Sequence, residues 1–366
     1  MNRMRNPSLV AIGLLGLLGM SHAQADPQWV KLKTDRYTLN IKQDAISFID
    51  DKRGWYGNGL GRIYRTVDGG TRWTKIWEKR GTYVRALEFA DENLGFLGNV
   101  GPGYFPDVKD TQPIYVTRDG GSTWEPVKAI GQPVTGICAI DVLKIDGQIA
   151  AIRAGGRVGG PAAMMESFDA GQTWQSRDMS SVTGMILDIK FIDAMTGFIA
   201  GATDPEEPKA HARILKTSDG GKTWRAVFES DRAVDNNWKL AFPSARVGYA
   251  TIMSYDAPPA DARGYVAKTE DGGETWTKRI VTQDSEWIPY GISFIDEQHG
   301  FVGGSTGGYE TKDGGATWKA VKMGTYVNKI RFTTRSDGGI TAFAIGQDVF
   351  KLDLPPSQPL SRPSPR

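Results

Sequence analysis

Six times along this chain a carboxylate stands a fixed distance ahead of a tryptophan, in the frame Ser/Thr-x-Asp-Gly/Ala-Gly-x-Thr/Arg-Trp. The pairs are Asp68 and Trp73, Asp119 and Trp124, Asp169 and Trp174, Asp219 and Trp224, Asp271 and Trp276, and Asp313 and Trp318. Taken singly, such a loop offers an acid beside an aromatic face, an arrangement that can grip a sugar. The recurrence argues otherwise. The acids return roughly every fifty residues, shortening before the last, and a period of that size marks a solenoid or propeller with one fastener per unit. In a tight turn the Asp carboxylate and the Ser/Thr hydroxyl bond the turn's own amides, while Trp buries a large surface on neighbouring strands. Asp and Trp are therefore read as structural at all six places.

Other groups that could do chemistry are scattered. Asp107, Asp204, Glu206, Glu207, Asp231, Asp256 and Glu286 fall in connecting segments, and a glycosidase would need two of them facing each other across a cleft. His211, in a polar connection, and His299, in the turn "DEQHG", are read on opposite faces, so no shared metal site is expected. Cys138 is the sole cysteine; no internal disulfide can form, and it reads as a small buried residue of an inner strand. "GGRVGG" from Gly155 to Gly160 lacks the lysine and following helix of a phosphate loop. No cofactor and no metal are expected.

The elements that would position these groups repeat too. Phe is followed six positions later by Gly at Phe48/Gly54, Phe89/Gly95, Phe191/Gly197, Phe242/Gly248, Phe294/Gly300 and Phe332/Gly338. Ile137 to Ile152 has the same strand, turn and strand shape without the Phe, which makes seven units. Each reads as four short strands, a to d, with the acidic motif as the c-to-d hairpin; in the fourth unit these are "ILDIKFI", "GFIAG", "RILKT" and "WRAVF". The seventh unit stops after its third strand, and the segment Asp26 to Leu32, with Trp29, resembles the missing d strand. If it completes the last sheet, the ring closes without an open edge. The fold expected is all-β: one seven-bladed propeller of four-stranded blades, closed by the N-terminal strand.

Composition agrees with a globular chain: 366 residues, 40% hydrophobic and 23% charged, with 45 glycines and 11 tryptophans. Residues 1–25 read as a signal peptide, with Arg3 and Arg5, an apolar run from Leu9 to Met20, and Ala23-Gln24-Ala25 at the cleavage site. No Cys follows it to be lipidated, and no later stretch is apolar enough to span a bilayer. The formal charge of +2 is carried away with the two signal arginines, so no nucleic-acid partner is expected. The organisation expected is a signal at 1–25, a propeller at 26–354 and a Pro-rich disordered tail at 355–366, exported to a periplasm and monomeric outside any complex.

In such a blade the a-to-b turns and acidic hairpins share one face, and the b-to-c and d-to-a loops share the other. From Gly95, Gly147, Gly197 and Gly248 to the next motif Asp, units 2 to 5 run much longer than units 1 and 6, and their sequences differ. These loops are expected to form a wall that recognises another exported or membrane protein, since variable loops on a rigid scaffold carry recognition. Candidate contacts are Tyr104, Phe105, Arg153, Arg157, Arg213, Tyr255, Arg263, Trp287 and Tyr290, aromatic and arginine side chains being the usual anchors of interfaces.

The repeats resemble Asp-box repeats, also called bacterial neuraminidase repeats. With "FIDAMTGFIAG" and "FIDEQHGFVGG", seven units and an export signal, the chain most resembles the photosystem II stability and assembly factor family. That resemblance implies a non-enzymatic factor that binds a membrane subunit of photosystem II before its partners arrive. Related repeats also build sialidases and xyloglucanases, so a periplasmic glycoside hydrolase is the alternative. The resemblance to sialidases would imply a Phe/Tyr-Arg-Ile-Pro stretch ahead of the first motif. Its nearest counterpart, "GRIYRT" at Gly61–Thr66, carries Tyr64 in place of Pro and lies on the strand entering the motif.

Overall fold

The computed structural model describes residues 27–35, 43–254 and 264–356. The expected signal peptide, the segment beyond 356, and Tyr255, Asp256 and Arg263 lie outside the described residues.

Seven antiparallel sheets succeed one another around an axis. Their innermost strands are Ala45–Phe48, Val84–Phe89, Ala139–Ile145, Met185–Phe191, Asp235–Ala241, Pro289–Phe294 and Lys329–Thr334. From each, the following strands add outward in chain order, giving an all-β, seven-bladed propeller. In blade 7 the third strand, Val349–Leu354, pairs antiparallel with Val30–Lys31, Val30 facing Lys351 and Lys31 facing Phe350. The N-terminal segment thus supplies the outer strand that the C-terminal end lacks. Blade 3 departs from the four-strand scheme. Ile130–Gly131, on the way in from blade 2, adds a short parallel strand outside Gln175–Asp178.

The Phe/Gly spacing has a steric cause. In five blades the Phe at the end of the inner strand lies over the Gly that begins the next: a Cβ on Gly54, Gly95, Gly197, Gly248 or Gly300 would sit 2.3–2.6 Å from that ring. Gly197→Ala should therefore displace Phe191 from its edge-on contact with Trp224 and cost about 1–3 kcal/mol. Urea unfolding checks it, and an unchanged midpoint would refute it. Blade 3 has no such Phe, and in blade 7 Phe332 pairs with Ala342 while Gly338 sits in the turn at φ 81.

Blades are joined by a second register. The aromatic after the b-strand glycine stacks on the inner Phe of the next blade: Trp55 on Phe89 at 3.7 Å, Phe198 on Phe242 at 4.2 Å and Tyr249 on Phe294 at 3.7 Å. Phe343 of blade 7 stacks on Phe48 of blade 1 at 3.5 Å, so the contact that closes the ring is the one used within it. In blade 3 this slot holds Arg153. Its guanidinium lies 3.5 Å from the centre of the Phe191 ring and donates to the Gly220 carbonyl of the next hairpin, much as Trp55 Nε1 donates to Gly120.

Candidate docking face

The acidic hairpins consume their own polar groups. In blade 2, Thr117 Oγ1 donates to Asp119 Oδ1 at 2.8 Å and accepts from the Gly121 amide, while the Thr123 amide and hydroxyl both donate to Asp119. The same closed set surrounds Asp169, Asp219, Asp271 and Asp313, and Asp68 differs only where Arg72 replaces the threonine. Hydrogen bonds from Thr123 and Thr173 hold Asp119 and Asp169 down at about 2. A carboxylate so occupied keeps little basicity or hydrogen-bonding capacity for a substrate. The tryptophans turn their edges to the core aromatics, as Trp73 does on Phe48, Trp124 on Phe89 and Trp174 on Phe96; Trp276 and Trp318 do the same on Phe242 and Phe294.

On the opposite face the loops converge over the axis and seal it. Tyr83, Leu187, Trp238 and Tyr290 belong to one buried cluster, with Tyr104, Phe105 and Ile288 packed against it from above. Phe105 stacks on Tyr83 at 4.7 Å and meets Tyr104 edge-on at 4.9 Å. Across the axis Tyr290 neighbours Trp238 at 6.3 Å and Tyr326 at 6.2 Å. Burial pushes the Tyr290 hydroxyl up to about 12. Tyr326, 39% exposed in the connection into blade 7, was missing from the sequence-derived contacts although "GTYVNK" places an aromatic in a d-to-a loop.

Beneath this seal lies a polar knot. Asp44, just before blade 1, pairs with Arg85 of blade 2 at 3.0 Å, accepts from Tyr83 Oη at 2.7 Å and accepts from Asn328 of blade 7. Asn328 in turn accepts from Trp238 Nε1 of blade 5.

Of the expected contacts, Tyr104, Phe105 and Tyr290 are gathered around the axis, and several others need correction. Arg153 is 2% exposed and, as above, fills a stacking slot against blade 4 with Glu166 as ion partner at 3.2 Å. Trp287 is 1% exposed, held edge-on to Tyr309 in the space above Gly304, where any Cβ would collide with it. Arg157, 8% exposed, spends its guanidinium on the Gly160 and Val100 carbonyls, tying the blade 3 loop to blade 2. Arg213 lies in strand His211–Thr217 rather than in a loop, forked onto Glu229 at 2.8 and 3.2 Å. His211 opens that strand, its Nδ1 2.8 Å from the Ser230 carbonyl oxygen.

Among the described residues, the loop acids named from the sequence are not gathered in the principal cavities. None of Asp107, Asp204, Glu206, Asp231 or Glu286 lines the axial cavity, the groove between blades 6 and 7, or two further surface pockets. Glu206 pairs with Lys209 at 2.6 Å, and Asp231 lies in strand Arg225–Ala233. Among the described residues no group of His, Cys, Asp and Glu is clustered to hold a metal, and no helix is long and apolar enough to cross a membrane. Cys138 is buried, its sulfur 3.4 Å from the Val158 amide.

No family model matches the chain. A xyloglucanase of a Paenibacillus species is 27% identical over 237 residues, 56% of this chain but 22% of that protein. The photosystem II assembly lipoprotein Ycf48 of Picosynechococcus is 24% identical over 326 residues, 76% of this chain and 85% of that one. Ycf48 of a Synechococcus species is 25% identical over 186 residues, half of each chain. The chain thus spans about a fifth of the xyloglucanase and half of the Synechococcus protein. Among solved structures, Ycf48 bound to a D1 peptide superposes with a TM-score of 0.62 at 16% identity, over 92% of this chain and 98% of that one. Ycf48 from Cyanidioschyzon merolae gives 0.64 at 16% identity, over 89% and 98%. The GH74 enzyme of Niastella koreensis gives 0.56 at 16%, over 84% of this chain and 51% of the enzyme. These likenesses carry the fold.

Proposed function

We propose that this chain is an exported, non-enzymatic propeller whose loop face binds a segment of another envelope or membrane protein and assists assembly or stability of a complex. The observation that carries this reading is extent. The likeness to Picosynechococcus Ycf48 runs through 85% of that assembly protein, whereas the xyloglucanase likeness takes in 22% of the enzyme. One Ycf48 has been solved with a D1 peptide, so a polypeptide segment is the ligand class taken here for the loop face. Tyr104, Phe105 and Tyr326 are its anchors: half-buried or exposed aromatic rings on a rigid, desolvated floor lose little conformational entropy on binding. The mature propeller is taken to begin at residue 26, to be soluble in its exported compartment and to be monomeric outside its complex.

Glycoside hydrolysis is the second reading, favoured by the likeness to a xyloglucanase. It would require two carboxylates at the base of an aromatic-lined cleft.

Photo-crosslinkers placed singly at Tyr104, Tyr326 and Lys312 in the native host separate the readings. Lys312 lies in an acidic hairpin on the other face and serves as the control. Crosslinks from 104 and 326 to one exported or membrane polypeptide are expected, with none from 312, and Phe105→Ala should weaken the complex about tenfold or more. Crosslinks from 312 alone, or sustained turnover of fluorogenic glycosides, would overturn the docking reading.

A further inference from the structure

Below the aromatic seal the axis opens into a cavity of about 380 Å3, within the range of small-molecule sites. Strand alternation presents two tiers of side chains to it. Asp188, Lys239 and Lys329 stand three residues before the inner-strand Phe or its neighbour in their blades, and Glu88, Lys190 and Arg331 stand one before. Asp141, Ser293 and Asn328 complete the polar lining, and Phe48, Phe242, Phe294 and Phe332 form an apolar border. Lys190 is 44% exposed, which marks the mouth on the hairpin face.

The charges do not balance. Glu88 is matched to Arg331 at 3.1 Å, Asp141 to Lys190 at 2.9 Å and Asp188 to Lys239 at 3.8 Å, Lys239 also donating to the Leu187 carbonyl at 3.0 Å. Three acids thus answer three bases. Lys329 is left over: it is 6% exposed, lines the cavity, and its ammonium makes no hydrogen bond or ion pair among the described residues, Glu88 and Asp188 acting on it only at longer range. The neighbouring Asn328 turns its carboxamide to Asp44 and Trp238 and makes no bond to Lys329. An uncompensated buried charge is costly unless something pairs with it, and an ammonium carries three donors for the purpose. The Ser293 hydroxyl is likewise without a side-chain bond among the described residues.

We propose that the axial cavity binds a small oxyanion, seated on Lys329 Nζ with Ser293 as a second donor and Arg331 and Lys239 supplying the surrounding positive field. A doubly or singly charged tetrahedral anion and a short carboxylate share this chemistry; the cavity has room for either. The site lies at the end of the axis opposite the docking face and stands whether or not that face binds a polypeptide.

The test is thermal unfolding of the mature chain at pH 6.5 and fixed ionic strength, with part of the chloride replaced by millimolar phosphate, sulfate or malonate. A ligand that binds only the native state raises the midpoint along a logarithmic curve set by its Kd. Such a rise is expected in the wild type, absent in Lys329→Met and preserved in Lys312→Met, whose lysine is exposed in a hairpin. Direct calorimetric titration should show the Kd weakened about tenfold or more in Lys329→Met, the loss of one charge-assisted contact. Circular dichroism confirms that the variant is folded. A response to malonate alone assigns the carboxylate class, and one to phosphate or sulfate assigns the inorganic class. Equal shifts in wild type and Lys329→Met would reveal general salt exclusion and overturn the proposal, as would no shift with any anion.

Discussion

Asp44→Ala is expected to destabilise the propeller by about 3–5 kcal/mol, because it removes one member of a buried ion pair and leaves the other charged and dry. Asp44 and Arg85 are 1% and 3% exposed, so solvent screens little of the loss. The carboxylate also anchors Tyr83 and Asn328, so blades 1, 2 and 7 lose a shared acceptor at the seam where the ring closes. Urea unfolding measures the change. An Arg85→Met partner substitution makes the cause testable: if the cost is the guanidinium deprived of its carboxylate, the double variant recovers a large part of it, whereas a simple loss of packing would add to it. A single variant within 1 kcal/mol of wild type would refute the argument. The consequence reaches the proposed docking face. Tyr83 is held by Asp44 through its hydroxyl and supports Phe105 through its ring, so the variant should also weaken partner capture in the crosslinking experiment.

How much of this was legible in the sequence depends on the range over which each residue's role is decided. The acidic hairpins were, because Thr217, Asp219 and Thr223 bond one another within seven residues and the pattern is repeated six times. The Phe/Gly spacing was too, since Phe191 and Gly197 face each other across one short turn. Closure by the N-terminal strand followed from counting strands, and Val30 does face Lys351. What failed was the step from residue type to exposure. Arg153 and Trp287 look like interface anchors by type, but one replaces an aromatic in the stacking register between blades and the other fills the hollow above Gly304. Those fates are set by the neighbouring strand or blade, which no local window contains. Blade 3 held a clue in hindsight: Arg153 occupies the register position of Trp55, Phe198 and Tyr249, so it belongs to the framework rather than the wall. The charges of the axis were invisible for the same reason. Glu88, Lys190, Lys239, Lys329 and Arg331 come from four blades and meet only when seven inner strands converge, although each interrupts an otherwise apolar strand.

That convergence gives Lys329 a measurable pH signature. Desolvation, with Arg331 and Lys239 adding repulsion and Glu88 and Asp188 opposing it, pushes its ammonium down to about 7. In the unfolded chain the same lysine titrates near 10.4. Between these values the unfolded state holds a proton that the native state has released, so native stability rises with pH across the window from about 7 to about 10. Below pH 7 both states are protonated and the full cost of burying the charge is borne by the native fold. Lys239, also lowered by burial, adds in the same direction. Lys329→Met removes the charge and keeps the volume, so in oxyanion-free buffer it should stabilise the protein by about 1–4 kcal/mol at pH 6, as replacing a buried charge by a well-packed apolar chain often does. The advantage should shrink by pH 9, where the wild-type amine is already neutral in the fold. Urea unfolding of both proteins at the two pH values reads this directly. A variant less stable than wild type at pH 6, or an advantage that grows with pH, would mean that Lys329 is charged and internally paired, and the reading of the axis as an anion seat would go with it.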